Sequence, residues 1–298
     1  MAKDLWERSS AVKDLFTKAS EASDIDVCKL LFESTAKELM ATDKTQIAIT
    51  VANLAASTAI LEKGIEVHGC AGFSLGEYAA LCEAGVLSLG DVFPIVKLRG
   101  MLMEKAARAL DGDAQEESSG MAVVLGLPPD KVASVVEALQ GGGVFVANLN
   151  SPVQTVVSGN AAGLEAAEPA LKAAGAKRVI RLSVSGPFHS PFMSEARKAL
   201  DEALAGYAFR DPRLPVYSNV TGAVIRTGAE ARELCGRQVV SPVRWVSVEE
   251  SLFADGFDAF FETGPGTVLT GLMKALSPQA ACSPAGSAEA IAKALGGR

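Results

Sequence analysis

The sequence predicts an α/β fold, and three observations support this prediction. Short apolar runs typical of strands alternate with longer segments of helical spacing, which is the pattern of a mostly parallel sheet covered by helices. A short predicted strand at 65–71 leads directly into G-F-S-L-G at residues 72–76, and a helical pattern resumes after it. A second, smaller unit with its own order of strands and helices occupies the middle of the chain.

The residue pattern in the first part of the chain predicts a helix, a strand and a second helix. Residues 43–63 carry apolar side chains at helical spacing, and Gly64 is a suitable stop for this helix. Residues 65–71, I-E-V-H-G-C-A, have the length of a short strand, which we expect to be buried. The helical pattern at 77–83 ends at Gly85.

A longer helix follows and carries Arg99. Either Ser88 or Asp91 can cap its first turn, because a short polar side chain there accepts a backbone N–H. After this helix, the polar stretch 111–120 interrupts the pattern. We interpret this stretch as an exposed connection and a candidate domain boundary.

The unit after this boundary has the order β-α-β-β-α-β, which is typical of a ferredoxin-like domain. Its predicted elements are strand 121–125, helix 129–140, strand 144–149, turn 150–152, strand 155–158, helix 161–174 and strand 178–184. The larger pattern then returns, with a helix near 193–207 and strands near 214–218 and 257–262. We therefore predict a large α/β catalytic domain made of residues 1–120 and 187–298, with a ferredoxin-like domain at 121–186 inserted into it.

Composition excludes several classes of protein. The 298 residues are 49% hydrophobic and 21% charged, which is enough apolar material for a large core. No stretch approaches the roughly 18 apolar residues that a membrane span needs, and the start of the chain is charged where a signal peptide is apolar. We expect a cytoplasmic protein without a membrane partner.

The cysteine pattern and the net charge limit which metal sites and which kinds of binding partner we expect. The five cysteines are scattered, odd in number and never spaced as C-x-x-C, so we expect reduced, mostly buried thiols and no metal site. The net charge of -7 argues against nucleic acid, since phosphate binding needs excess Lys and Arg. The densest positive charge lies at Lys172, Lys177 and Arg178, which we interpret either as a solvated helix end or as a docking patch for an acidic partner.

Residues 72–76 fit the nucleophile-elbow pattern G-x-S-x-G. In such an elbow a sharp strand-to-helix turn exposes the serine hydroxyl, and the backbone N–H of the next residue is free to stabilise an oxyanion. We expect both glycines to be required because side chains would clash in the turn. A tight structural turn is the alternative, but the predicted strand and helix on either side favour Ser74 as a nucleophile.

A serine nucleophile needs a base, and the chain has only two histidines. His68 lies in the predicted strand before the elbow, where we expect a packed or hydrogen-bonded side chain. His189 lies in a loop shaped by glycine and proline at the predicted domain junction, which is a typical cleft position. We therefore favour His189 as the base.

Arg99 is the third candidate residue. It lies in an apolar, glycine-containing stretch, where a guanidinium needs a carboxylate partner to be stable. That partner could be the carboxylate of a ligand. An ordinary solvated helix charge is the alternative, and the spacing alone does not decide between them.

Six segments of the sequence form a recognisable set. They are G-F-S-L-G-E-Y at 72–78, K-L-R-G at 97–100, N-L-N-S-P at 148–152, G-P-F-H-S at 186–190, the stretch from Gln238 to Trp245, and E-T-G-P-G at 262–266. Together they resemble the malonyl-CoA:acyl-carrier-protein transacylases and the related acyltransferase domains of polyketide synthases. They occur in the order of that family, and the set is far more specific than any one of them.

The resemblance implies an α/β-hydrolase-like large domain and a two-step acyl transfer. Ser74 would accept malonyl from coenzyme A and pass it to the phosphopantetheine thiol of an acyl carrier protein, for fatty acid or polyketide synthesis. Within the catalytic group, His189 would be base and then acid, oriented by the backbone carbonyl of Gln238, and the Leu75 N–H would bind the oxyanion.

The resemblance also implies substrate contacts. Arg99 would bind the malonyl carboxylate with two parallel hydrogen bonds, and Met103, Asn148 and Phe188 would contribute to the substrate site. The coenzyme A thioester is a substrate, so no permanently bound cofactor is expected, and we expect a monomer. The family begins with a strand and a Gly-Gln-Gly-Ser-Gln segment before the first helix, and the sequence begins after the place where that segment is expected.

Two other functions remain open from the sequence. A serine hydrolase of α/β type would use the same elbow with water as acceptor, although it has no need of Arg99. A non-catalytic module that only binds carrier protein is the other alternative, if the absent first segment removes activity. Acylation of Ser74 by malonyl-CoA distinguishes all three.

Overall fold

A computed structural model of the chain describes residues 1–39, 42–111, 118–139, 141 and 143–296. Within these residues the helices are α1 (Lys3–Arg8), α2 (Ser10–Ser23), α3 (Val27–Phe32), α4 (Ala36–Leu39), α5 (Thr42–Leu61), α6 (Gly76–Glu83), α7 (Leu89–Asp111), α8 (Pro129–Ala138), α9 (Ala161–Ala173), α10 (Ser194–Leu204), α11 (Gly228–Gln238), α12 (Trp245–Ala254), α13 (Val268–Leu276) and α14 (Ala288–Gly296). The strands are β1 (Cys70–Ala71), β2 (Gly120–Leu125), β3 (Val144–Ser151), β4 (Gln154–Gly159), β5 (Arg178–Arg181), β6 (Val216–Tyr217), β7 (Ala259–Glu262) and β8 (Ala281–Pro284).

The main core is formed by helices packed around α5 and α7. These two helices contact each other, and α2 packs against both. The apolar side chains Val12, Leu15 and Phe16 of α2 lie on one face of the helix and are buried in this core. Ser9 caps the start of α2 by accepting the Val12 N–H at 3.0 Å. The same core holds α6 and α7, the helices that follow the elbow and carry Arg99.

The strands of the predicted large domain pair in parallel. β1 pairs with β6 and β7 pairs with β8, as two separate two-stranded sheets within the described residues. This agrees with the mostly parallel sheet predicted from the sequence, and the α/β class is confirmed. The β1–β6 sheet positions the site because the elbow begins where β1 ends.

The smaller unit forms a four-stranded antiparallel sheet of order β3-β4-β2-β5, with α8 and α9 packed against it. The chain order β-α-β-β-α-β is the predicted one. A separate apolar core, with Val124, Val157 and Leu171 fully buried, lies between the sheet and the helices. The domain borders stay a prediction, and residues 112–117 of the predicted connection 111–120 lie outside the described residues, as does Gln140 at the predicted end of helix 129–140.

Several predicted boundaries are wrong by more than a residue or two. The strand predicted at 65–71 is only Cys70–Ala71, because only these residues pair with β6. His68 is therefore not a packed strand residue: its side chain is 74% exposed and lies 3.7 Å from the Glu66 carboxylate.

Three other elements also differ from the prediction. The turn expected at 150–152 begins later, since β3 extends to Ser151, which pairs with Gln154. The strand predicted at 178–184 ends at Arg181, the last residue to pair with β2. The helix predicted at 193–207 is α10, preceded by a 3-10 turn at Pro191–Met193.

The thiols are less buried than the sequence predicts. Cys235 and Cys282 are buried, whereas the other three cysteines are half-buried, and all five are free thiols. No helix in the described part of the chain combines the length and the apolar character needed to cross a membrane. Across the same residues, His, Cys, Asp and Glu side chains form no group of three or more that could hold a metal ion.

Candidate active site

The segment between β1 and α6 forms a sharp elbow with Ser74 at its tip. Ser74 has a φ of +48°, in the left-handed region that non-glycine residues rarely adopt. A Cβ on Gly72 would lie 2.0 Å from the backbone carbonyl of Gly76, so position 72 needs glycine. The expectation that both glycines are sterically required is wrong for Gly76, where the nearest atom to a Cβ lies 4.0 Å away.

Ser74 and His189, which are 115 positions apart, meet in the structure. The Ser74 Oγ lies 2.7 Å from His189 Nε2, and His189 Nδ1 lies 2.9 Å from the backbone carbonyl of Gln238. A carbonyl oxygen can only accept a hydrogen bond, so Nδ1 carries the proton and Nε2 is left to accept from the serine hydroxyl. This is the tautomer that a base for Ser74 requires.

The surroundings keep His189 neutral. Burial, the larger cause, and the nearby positive charge of Arg99 together lower the pKa of His189 to about 4. The backbone carbonyl of Gln238 acts in the opposite direction because it stabilises the protonated ring. At neutral pH the imidazole is therefore unprotonated and available as a base.

Arg99 projects from α7 into the same buried site. Its Nη1 donates to Gln46 Oε1 at 2.9 Å, and its Nη2 donates to Gln238 Oε1 at 3.0 Å and lies 3.4 Å from Ser74 Oγ. In the described part of the chain, this guanidinium forms no ion pair, because no carboxylate oxygen lies within 4.0 Å of its nitrogens. Neutral amides hold the arginine in place, and its charge is left to attract an anion beside Ser74.

Further side chains surround the elbow. Asn219, which follows β6, accepts the Ser74 N–H on Oδ1 at 2.6 Å and donates from Nδ2 to the Gly72 carbonyl at 2.7 Å. Gln238 Nε2 donates to the Ser74 carbonyl at 3.0 Å. Glu77, in the first turn of α6, is almost fully buried, and burial raises its pKa to about 7.

Leu75 provides a backbone donor at the start of α6. The N–H groups of the next three residues donate to the carbonyls of Phe73, Ser74 and Leu75. The Leu75 N–H itself has no acceptor among the described residues. The first N–H groups of a helix attract negative charge, so this N–H is suited to an oxyanion next to Ser74.

The other three predicted substrate residues lie on segments that adjoin this centre. Met103 follows Arg99 by one turn of α7 and is buried in the main core. Asn148 is buried in β3 and forms a parallel bridge with Val243. Phe188 precedes His189 and is half-buried between the main core and a small cluster under β2 and β3.

The predicted docking residues lie on the smaller unit. Lys172 pairs with Glu168 at 2.6 Å on the exposed face of α9. The methylene groups of Lys177 cover Gly126, and Arg178 is exposed at the start of β5. Lys172, Lys177 and Arg178 are all exposed, so they lie on the outer surface of the smaller unit.

The sequence prediction missed Gln46, Glu77, Asn219 and the side chain of Gln238. Two of them carried a usable signal. Glu77 is a charged residue directly before the mostly apolar stretch 78–82 that follows the elbow. Asn219 follows a strand end, where functional side chains of parallel sheets gather. Gln46 and the amide of Gln238 carried no such signal.

Comparison with known proteins agrees with this geometry. Residues 1–292 match the acyl transferase domain family. The chain is 40% identical over 276 residues to the malonyl CoA-acyl carrier protein transacylase of Bacillus subtilis, covering 92% of this chain and 85% of that protein. It is 35% identical to the enzyme of the same name from Escherichia coli K12, covering 99% of this chain and 94% of that protein.

Solved structures show the same similarity. The MCAT structure from Streptococcus pneumoniae superposes with a TM-score of 0.93 at 33% identity, covering 100% of this chain and 95% of that one. A malonyl-transacylase in complex with a type II PKS acyl-carrier protein superposes with a TM-score of 0.92, also at 33% identity, with coverage of 100% and 95%. The chain belongs to the acyl transferase domain family.

Proposed function

We propose that this protein transfers a malonyl group from malonyl-CoA to the phosphopantetheine thiol of an acyl carrier protein, through a malonyl-serine intermediate. The relatives that carry this activity in their names, and the structure with a bound carrier protein, support the proposal. One observation carries it: the buried guanidinium of Arg99, without a carboxylate partner in the described chain, lies 3.4 Å from Ser74 Oγ. The pathway is fatty acid or polyketide synthesis.

In the first half-reaction the Ser74 hydroxyl loses its proton to His189 Nε2 as Oγ attacks the thioester carbonyl. The hydrogen bond to the Gln238 carbonyl stabilises the imidazolium that forms. The Leu75 N–H faces the developing oxyanion, and Arg99 holds the malonyl carboxylate. The carbon–sulfur bond then breaks, and coenzyme A leaves with the proton that His189 returns.

In the second half-reaction the same groups act in reverse. His189 accepts the proton of the carrier-protein thiol, and the sulfur attacks the carbonyl of malonyl-Ser74. The ester bond breaks, the serine oxygen recovers its proton from His189, and the malonyl thioester leaves on the carrier protein. No permanently bound cofactor takes part in this scheme, and Met103, Asn148 and Phe188 are proposed to shape the substrate site.

The two alternatives have less support. A serine hydrolase would release malonate to water, and it gives no reason for a buried arginine beside the nucleophile. A non-catalytic binding module gives no reason for the 2.7 Å contact between Ser74 and His189.

We further propose Lys172, Lys177 and Arg178 as docking residues for the acidic carrier protein. The monomeric state and the cytoplasmic location stay predictions.

Replacing Ser74 with alanine should abolish acylation. The hydroxyl is the only group lost, and an elbow that accommodates serine also accommodates alanine, so the fold should remain. Intact mass spectrometry after mixing with malonyl-CoA should show a malonyl adduct on the unaltered protein and none on Ser74→Ala. An adduct that persists on the alanine variant would identify another nucleophile, whereas steady release of malonate without transfer would identify a hydrolase.

Replacing His189 with alanine should slow acylation by about 10²–10⁴, the usual range for general-base assistance. His68→Ala is the matched control, because that imidazole is exposed and contacts only Glu66 in the described part of the chain. Single-turnover rates of acylation by malonyl-CoA measure the effect of each variant. Equal losses in the two folded variants would contradict the assignment of His189.

The pH dependence of acylation should follow the lowered pKa of His189. The neutral imidazole is the base, and its pKa of about 4 keeps it neutral well below physiological pH. The acylation rate should therefore stay level from pH 7 down to about pH 5 and fall only below that value. A rate that halves near the ordinary histidine pKa of about 6.5 would show that burial does not lower this pKa.

Replacing Arg99 should change selectivity more than reactivity toward uncharged acyl groups. Arg99→Ala should reduce malonyl transfer strongly, because the malonyl carboxylate would leave water without a partner, and Arg99→Lys should already weaken it. Acetyl-CoA carries no such charge and should be little affected. The malonyl-to-acetyl ratio of transfer efficiencies is the measurement, with Arg108→Ala on the exposed face of α7 as control. An unchanged ratio would make Arg99 a structural residue.

A further inference from the structure

Glu77 lies one turn after the nucleophile and is a buried carboxylate that the proposed mechanism does not use. It is 1% exposed, in the first turn of α6. Its Oε2 accepts two hydrogen bonds, from Gln238 Nε2 at 2.7 Å and from the backbone N–H of Asn219 at 3.1 Å. A single carboxylate oxygen thus joins two residues that lie far apart in the chain and both reach the elbow.

The contact with Gln238 determines which way its side-chain amide faces. Nε2 donates to Glu77 and to the Ser74 carbonyl, while Oε1 accepts from Arg99 Nη2 at 3.0 Å. Reversing the amide would place an oxygen against the Glu77 carboxylate and an amino group against the guanidinium. Both contacts would be repulsive, so Glu77 holds this amide in the orientation that retains Arg99.

The contact between Glu77 and Asn219 stabilises the turn at Gly72 and Ser74. The Asn219 side chain spans the strained turn, accepting from the Ser74 N–H at 2.6 Å and donating to the Gly72 carbonyl at 2.7 Å. Glu77 accepts the backbone N–H of the same asparagine. The position of this clamp, and with it the left-handed conformation of Ser74, depends on the carboxylate.

We propose that Glu77 is a positioning residue that aligns Ser74, His189 and Arg99 by holding Gln238 and Asn219. It contacts no reacting atom and acts on His189 through Gln238, whose backbone carbonyl orients the imidazole. The part that concerns Arg99 and malonyl rests on the proposed function. The part that concerns activation of Ser74 does not, because it follows from contacts within the protein.

Diisopropyl fluorophosphate, a small reagent that phosphorylates activated serines, tests the activation of Ser74 without malonyl-CoA. The Ser74 Oγ forms a bond to phosphorus, the phosphorus–fluorine bond breaks, fluoride leaves, and His189 takes the hydroxyl proton. The rate of this labelling reports how well Ser74 and His189 are aligned, and intact mass follows it. The rate of malonyl-CoA acylation, measured on the same samples, reports the Arg99 part.

Glu77→Ala should slow labelling by diisopropyl fluorophosphate by about tenfold or more, because it leaves buried donors on Gln238 and Asn219 without their acceptor. Glu77→Gln keeps an oxygen that can accept from both and should lose less. Glu83→Ala is the matched control at the other end of α6, where the carboxylate accepts only from Ser57 at 2.8 Å among the described residues. Its labelling rate should equal that of the unaltered protein. Thermal unfolding of each variant shows that it is folded.

A double-mutant cycle with Gln238→Ala separates positioning from general stability, since that variant keeps the backbone carbonyl but lacks the amide. If Glu77 acts through the amide, Glu77→Ala should cost clearly less in the Gln238→Ala background than alone. Fully multiplicative losses would overturn the part of the proposal that acts through the Gln238 amide, and a labelling rate unchanged by Glu77→Ala would overturn the proposal as a whole. Should Glu77→Ala not fold, Glu77→Asp withdraws the carboxylate by one methylene group, and an unchanged rate would overturn it equally. Normal labelling of the unaltered protein without malonyl acylation would contradict the proposed function alone.

Discussion

The hydrogen bond between Ser74 Oγ and His189 Nε2 is the interaction on which the site depends, and the structure holds both partners in unusual backbone conformations. Ser74 and His189 have φ values of +48° and +57°. Each such residue costs of order 1–3 kcal/mol and persists only where its surroundings hold it. Here the surroundings are hydrogen bonds to Asn219 and to the backbone carbonyl of Gln238. The alignment of nucleophile and base is therefore maintained by groups outside the pair.

Burial determines the electrostatics of the site. Removal from water lowers the pKa of His189, which favours the neutral base, and also lowers the pKa of Arg99. The Arg99 guanidinium is satisfied in part by two glutamine oxygens, while its Nε has no hydrogen-bond partner among the described residues. A buried cation held by neutral amides pairs with an incoming carboxylate more favourably than one already neutralised, because no ion pair has to break first.

The smaller unit is joined to the catalytic region through backbone hydrogen bonds. The Leu149 N–H of β3 donates to the Val243 carbonyl, and the Val243 N–H donates to the Ala147 carbonyl, each at 2.9 Å. Val243 lies in the loop after α11, which ends at Gln238. The strand that carries Asn148 is thus tied to the segment that orients His189, and this gives the smaller unit a structural connection to the chemistry.

The sequence by itself determined the α/β class, the order of elements, the elbow at Ser74 and the choice between two histidines, because these depend on local spacing and on residue type. Tertiary structure decided the rest. The strand before the elbow is short because only two residues find a partner in β6. The contacts of Glu77 with Gln238, 161 positions apart, depend on how distant segments pack. Periodicity records which residues are buried, but it does not record which buried polar groups meet, and that pairing arises only when the chain is folded.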